Sequence, residues 1–158
     1  MRVTEPAPPP TGLRRHLLRA PIHLYRRHLG ALLGRRFLHL EHRGRKSGQW
    51  RHVVLEVVNH DDTRDGFVVA VGFGPTTDWY RNLKADPHAF VESGRERVAV
   101  TAEFLGEGEG ADFMAHYASE HRRTAAKLCA VMGFEVDGSD ADFREAGRRI
   151  RFVRLRRA

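Results

Sequence analysis

Four cationic side chains, Arg43, Arg45, Lys46 and Arg51, fall within the nine residues 43–51. Two glycines in the turn Arg43-Gly-Arg-Lys-Ser-Gly48 allow positive backbone angles, and Ser47 adds a hydroxyl. Guanidinium, ammonium and hydroxyl groups on one turn suit an anionic ligand. The turn is not the phosphate loop of a nucleotide hydrolase. That loop needs glycine directly before the lysine and another glycine five residues upstream of it, and here Arg45 and Leu40 stand in those places. Read as structure alone, the same segment is the solvated tip of a hairpin.

The other reactive residue types narrow the chemistry further. Ten histidines raise the question of a metal. His39 and His42 are three apart, which in a strand puts them on opposite faces, and there is no HExxH helix or convergent Cys/His set, so no metal site is expected. Cys129 is the single cysteine. It excludes an internal disulfide, suits a reducing compartment such as the cytoplasm, and reads as a small core residue of a helix. No G-x-S-x-G elbow is present, so no catalytic side chain is named and any enzymatic role rests on cofactor chemistry.

The elements that carry these residues follow from periodicity. Leu13 to Leu33 shows apolar residues near helical spacing with arginines between them, a basic amphipathic helix broken near Pro21. It fits either packing on the core with a solvated basic face or docking on an anionic membrane. Before it, residues 1–12 read as a disordered or extended lead rich in proline. From Phe37 the period becomes two: a strand opened by Phe37, Leu38 and Leu40, the tight basic turn His42–Gly48, and a second strand His52–Asn59 form a hairpin. Phe67–Val71 is a continuous apolar run, a buried strand that stops at Gly72-Phe-Gly-Pro75. Thr77 and Asp78 offer N-cap oxygens to a short helix Trp79–Ala85, ended by Asp86-Pro87. Ala89–Val91, Val98–Phe104 and Ile150–Val153 complete the strands. Gly106–Gly110 reads as a flexible acidic loop before a helix over Ala111–Met132. Local hairpins with helices at the ends argue against a doubly wound parallel sheet and for an α+β domain, an antiparallel barrel over residues 13–158.

Length and charge agree with one soluble globular unit of 158 residues. Residues 1–51 carry twelve Lys/Arg against two acids, residues 52–143 eight against seventeen, and residues 144–158 seven against one, which together give the formal +7. Basic ends around an acidic middle point to an anionic partner: a phosphorylated cofactor, an anionic lipid surface or nucleic acid. Nucleic acid is the weaker reading, because no RNP, KH or helix-turn-helix pattern occurs and Phe73, Trp79 and Tyr80 lie apart from the basic runs.

Three segments in order resemble the deazaflavin-dependent nitroreductase family, small split β-barrel oxidoreductases that use coenzyme F-420. They are Gly44-Arg-Lys-Ser-Gly-Gln49 with Arg51 and the apolar strand after it, Phe67-Val-Val-Ala-Val-Gly-Phe-Gly74, and Asp78-Trp-Tyr-Arg-Asn-Leu-Lys-Ala-Asp-Pro87, within residues 37–104. The resemblance implies an FMN-binding-like split β-barrel, mainly antiparallel, with flanking helices. It implies that Arg45, Lys46, Ser47, Arg51 and His52 hold the phosphate and oligoglutamate tail of the deazaflavin. Ala70, Val71, Gly72 and Phe73 would lie along the ring, and Asp78, Trp79, Tyr80, Arg81 and Asn82 would close the pocket.

The implied reaction is hydride transfer from the reduced cofactor to an electron-poor small molecule: a quinone, an activated olefin or a nitro compound. Gly72 and Tyr117 are the candidate acceptor-side residues, Tyr117 being the one tyrosine beyond residue 80. Quinone reduction fits better than reduction of bulky nitro compounds, because the acceptor pocket of the best-studied type is lined by more tyrosines. FMN is the alternative cofactor, and a basic module for nucleic acid or membrane the non-enzymatic alternative. Such barrels occur as monomers and homodimers, and a quinone acceptor would give the basic helix a place at the inner face of the cell membrane.

Overall fold

The structure is a computed structural model and describes residues 1–5, 36–61, 66–72 and 76–158. The segment Leu13–Leu33, residues 62–65 and Phe73 with the glycine and proline after it lie outside the described residues. In chain order the elements are β1 (Arg2–Val3), β2 (Phe37–Arg43), β3 (Trp50–Glu56), β4 (Asn59–Asp61), β5 (Gly66–Ala70), α1 (Asp78–Ala85), β6 (His88–Ser93), β7 (Glu96–Phe104), α2 (Glu107–Glu120), α3 (Arg122–Val131), β8 (Phe134–Glu135), α4 (Asp140–Arg149) and β9 (Phe152–Arg157). They form two compact units, one of Pro10–Val69, Thr76–Glu103 and Arg154–Ala158, the other of Met1–Pro9, Ala70–Pro75 and Phe104–Val153.

The first unit holds most of a seven-stranded sheet ordered β3-β2-β6-β7-β9-β5-β4. β2 pairs antiparallel with β3 and β6, and β6 with β7. The register of the β2–β3 hairpin sets what faces what, because opposed residues share a face. Leu38, Leu40 and His42 stand opposite Leu55, Val53 and Arg51, while His39, Glu41 and Arg43 stand opposite Val54, His52 and Trp50. Leu38, Leu40, Val91 and Leu83 are all fully buried, so the first of these faces points into the core. At the far side of the sheet Gly66 has no room for a side chain: a Cβ there would lie 2.8 Å from the carbonyl oxygen of Leu155.

The C-terminal arginines are paired inside this unit. Arg154 and Arg156 both reach Glu103, and Arg157 reaches Glu96. The positive charge at the C-terminal end is therefore answered within the fold, Arg154, Arg156 and Arg157 of β9 meeting Glu103 and Glu96 of β7.

The second unit is helical. Phe143, Ala146 and Ile150 on and after α4 are buried together with Met114, Ala111 and Ala118 on α2 and Ala125 and Cys129 on α3. The sequence reading differs from the structure here in three respects. Gly106–Gly110 is not a loop beyond its first residue: α2 starts at Glu107, where Glu107 and Glu109 complement the positive end of the helix and the Glu109 carboxylate accepts from the amide of Gly106. The expected single helix over residues 111–132 is two helices, broken at His121 with φ −138° and ψ 60°. The α4 helix is an addition to the sequence reading, capped by Ser139, which accepts from the amide of Asp142 at 3.2 Å, with acids in its first turn. Arg2 and Val3 are not idle either, pairing with Glu135 and Phe134 in a two-stranded sheet.

Candidate functional site

The turn between β2 and β3 is closed by its own backbone. The amide of Gly44 donates to the carbonyl of Gln49 at 2.7 Å and that of Gly48 to the carbonyl of Gly44 at 2.9 Å. The two glycines serve different ends. Gly48 sits at φ +69°, where a side chain is strained. At Gly44 the constraint is space, since a Cβ would stand 2.8 Å from Ser47 Oγ and 3.2 Å from the Gln49 carbonyl oxygen. Ser47 Oγ accepts from the amide of Gln49 at 3.2 Å and so keeps its own proton to donate outward.

Helix α1 fixes the turn in place through one amide side chain. Asn82 Oδ1 accepts from the backbone amide of Arg45 at 3.1 Å and from its Nη1 at 2.7 Å. Because the oxygen is committed to donors, Asn82 Nδ2 is the group facing His42 Nδ1 at 3.0 Å. An amide nitrogen can only donate, so His42 accepts at Nδ1 and carries its proton on Nε2. Burial, aided by the nearby His52, pushes the His42 pKa down to about 4, which keeps the ring neutral and able to accept. One turn before Asn82 on the same helix face, Asp78 Oδ1 meets both guanidinium nitrogens of Arg45 at 3.3 Å. Asp78 thus orients Arg45. Thr77, expected as a capping residue, makes no side-chain cap bond to the helix.

These residues line a groove of about 500 Å³ with His42, Gly44, Arg45, Lys46, Ser47, Arg51, His52, Val53, Thr77, Asp78, Trp79 and Asn82 at its walls. That volume is in the range of small-molecule sites. Three permanent cations face one carboxylate, and among the described residues neither Lys46 nor Arg51 has a carboxylate partner, so the groove carries an excess of positive charge. Trp79, almost fully buried, and Val53 supply apolar wall beside it.

Of the residues singled out from the sequence, Arg45, Lys46, Ser47, Arg51, His52, Asp78, Trp79 and Asn82 come together at this groove. Tyr80 and Arg81 do not line it. Tyr80 is buried with its ring edge-on to Trp79, and Arg81 is exposed. Ala70, Val71 and Gly72 belong to the other unit, where the amide of Val71 donates to the carbonyl of Arg151 at 2.9 Å. Tyr117 lies in that unit too, half-buried and stacked on Phe113 with centroids 6.1 Å apart. Phe73 is outside the described residues.

Sequence reasoning missed His42, Gly44, Val53 and Thr77 as wall residues. His42 had a usable signal: it stands two residues beyond Leu40 on a strand whose alternate positions are core, so it is directed inward where a polar ring needs a partner.

An antiparallel sheet whose hairpin turn and following short helix enclose a cationic groove defines a class before it defines a protein. Solved structures place that class. An F420-H2 dependent reductase superposes with a TM-score of 0.52 at 22% identity, over 77% of this chain and 95% of that one. A pyridoxamine 5'-phosphate oxidase-related, FMN-binding protein from Nostoc punctiforme gives 0.53 at 11% identity, over 93% and 81%. A protein of unknown function from Agrobacterium tumefaciens gives 0.52 at 19% identity, over 96% and 59%. What these share with the chain is the fold, the split β-barrel. No curated protein matches the chain.

The family model of the F420H(2)-dependent quinone reductases matches residues 17–128, and the chain belongs to that family. It is a deazaflavin-dependent reductase and its cofactor is coenzyme F-420. No helix among the described residues is long and apolar enough to cross a membrane.

Proposed function

We propose that the groove between the hairpin turn and α1 holds the anionic part of the cofactor, with Lys46, Arg51, Arg45 and the Ser47 hydroxyl on its phosphate and oligoglutamate groups, and that the acceptor is a quinone. The observation that carries the first part is the excess of cations over carboxylates on a turn locked to α1 by Asn82. The donor set fits the group: every charged side chain of the turn is a cation, and the one carboxylate in the wall is already turned to Arg45. Bound there, the reduced deazaflavin supplies a hydride.

The residues of this chain bind and orient. Arg45 is held at both ends and loses little freedom on meeting an anion, which is the benefit of preorganisation. Lys46 and Arg51 supply charge that attracts the ligand from solution and weakens with salt. The apolar wall of Trp79 and Val53 keeps water from the inner end of the groove. His42, neutral, keeps Asn82 in the orientation that grips Arg45. Quinone reduction is supported by the family to which the chain belongs. The basic segment Leu13–Leu33 suits contact with an anionic bilayer, where a lipophilic quinone resides.

The deciding experiment titrates purified protein with coenzyme F-420 and, separately, with FMN, following cofactor fluorescence at low and high salt. F-420 is expected to bind in the micromolar range, more weakly in salt, and FMN more weakly than F-420. Lys46→Ala and Arg51→Ala should each lower F-420 affinity roughly tenfold, about 1.4 kcal/mol, without unfolding the chain. Equal binding by wild type and both variants would remove the groove from consideration. Failure of a short-chain quinone to reoxidise the reduced cofactor in the presence of enzyme would remove the acceptor. Sedimentation with anionic vesicles tests the membrane contact.

A further inference from the structure

On the sheet face opposite His42 lies a second polar cluster, which shares only His52 with the wall of the cationic groove. His39 and Glu41 are alternate residues of β2 and share a face, and the register sets His52 of β3 directly opposite Glu41. His39 Nε2 and His52 Nδ1 are 2.9 Å apart. One donor atom from each of His39, Glu41 and His52 lies within 4.8 Å of the others, and no other such group occurs among the described residues. Nearby, Glu92 Oε2 stands 3.4 Å from His39 Nδ1 across the β2–β6 pair, and Arg97 donates to Glu41 Oε2 at 2.9 Å.

We propose that His39, Glu41 and His52 form a binding site for a divalent ion of the zinc class. Three features support it. The donor set, two imidazoles and a carboxylate, is the borderline mixture that such ions prefer, and it leaves one coordination position open. The spacing fits as well: bonds of about 2.0–2.1 Å at a tetrahedral centre place neighbouring donors about 3.3 Å apart, close to the present separation of the two ring nitrogens.

The third feature is the surrounding shell. Glu92 accepts from Nδ1–H of His39, which puts the lone pair on Nε2, the nitrogen that faces His52; a carboxylate behind a ligating histidine is the usual orienting arrangement. His39 is 3% exposed, whereas the Glu41 side chain is 22% exposed, so the site has a buried anchor and an entry side. Two carboxylates against one guanidinium leave the cluster negative before the ion arrives. Glu41 keeps Oε1 for the ion while Oε2 holds Arg97.

Without an ion, the two rings share one proton along the His39–His52 line. With it, that proton moves to Nε2 of His52 and both facing lone pairs turn to the metal. The ion would then cross-link β2 to β3 directly beneath the cationic turn. Along the strand His39 and His42 point to opposite faces, which is why sequence spacing gives no metal site; the partner of His39 is His52, across the hairpin.

The test uses the full chain stripped with chelator and titrated with Co²⁺, read by its visible absorption, and with Zn²⁺, read by calorimetry and melting temperature. One site per chain is expected, with a rise in melting temperature on adding Zn²⁺. His52→Gln should lose the site or weaken it at least tenfold, and Glu41→Gln should weaken it less. Should His39→Gln fail to fold, Glu92→Gln keeps all three ligands and is expected to lower affinity roughly 10- to 100-fold by releasing the His39 ring. Ring nitrogen resonances of His39 and His52 should shift with Zn²⁺. Equal affinity and stoichiometry in wild type and His52→Gln, or no binding by wild type at all, would overturn the proposal.

Discussion

The side-chain oxygen of Asn82 receives both ends of Arg45, the backbone amide at 3.1 Å and the guanidinium at 2.7 Å. One helix residue thereby fixes the position of a turn and the direction of its principal cation. Asn82→Ala removes both bonds and leaves His42 without its buried donor. Each such loss costs about 1–3 kcal/mol, so coenzyme F-420 affinity is expected to fall roughly 10- to 100-fold, with a smaller loss of stability in urea. A fluorescence titration that found wild-type affinity would show that the turn holds its shape without α1.

Acid should weaken the same joint. The folded pKa of His42 is lowered to about 4 from 6.5, so the unfolded chain takes up the proton first. The stability tied to the neutral ring is complete above pH 6.5 and is lost as pH falls from there through 4. The full effect is about 3 kcal/mol, of which roughly 2 kcal/mol is gone at pH 5. Comparing urea unfolding at pH 7 and pH 5 checks this, with His42→Gln expected to show the smaller difference. An equal slope in the two proteins would place the acid sensitivity elsewhere.

In the helical unit α2 and α4 touch backbone to backbone at Gly110 and Gly147. A Cβ on Gly147 would stand 2.7 Å from that of Met114 and 2.9 Å from Ala111 Cα, and nearer still to the Gly110 carbonyl. Gly147→Ala is therefore expected to destabilise by at least about 1–3 kcal/mol, although alanine is the better helix former by about 1 kcal/mol. Gly108→Ala, on α2 with nothing within 4 Å of the added atom, should leave stability unchanged or raise it. Thermal melts of the two variants must move in different directions for the close crossing to be responsible.

Cys129 is fully buried, and burial pushes its thiol up to about 11. A thiol needs its anion to react, so native protein at pH 8 should resist Ellman's reagent and react with one equivalent only after denaturant is added. Prompt reaction in the native state would mean that the α3 region opens readily.

The hairpin turn and α1 were legible before any coordinates, for a local reason: glycine, serine and cation types at fixed offsets specify a turn, and Asp86-Pro87 stops a helix, as it does here with Asp86 extended at φ −140°. The α4 helix was as strongly signalled, by Ser139 and the buried spacing of Phe143, Ala146 and Ile150, but its high charge concealed the apolar stripe. Gly106–Gly110 misled because glycine reads as a loop when considered alone. In the fold Gly110 is there to let another helix approach.

The sequence by itself determined the element types along most of the chain, the cationic character of one turn and the family to which three ordered segments point. These depend on the side chains' own chemistry and on neighbours a few positions away. Only the tertiary structure decided that Asn82 grips Arg45 and His42 across 37 and 40 residues, that His39 meets His52 and not His42, and that the arginines of β9 answer the acids of β7. Such pairings depend on strand register and on which faces are brought together when the core closes, and a shift of one residue in register would turn His39 or the β9 arginines to the other face of the sheet.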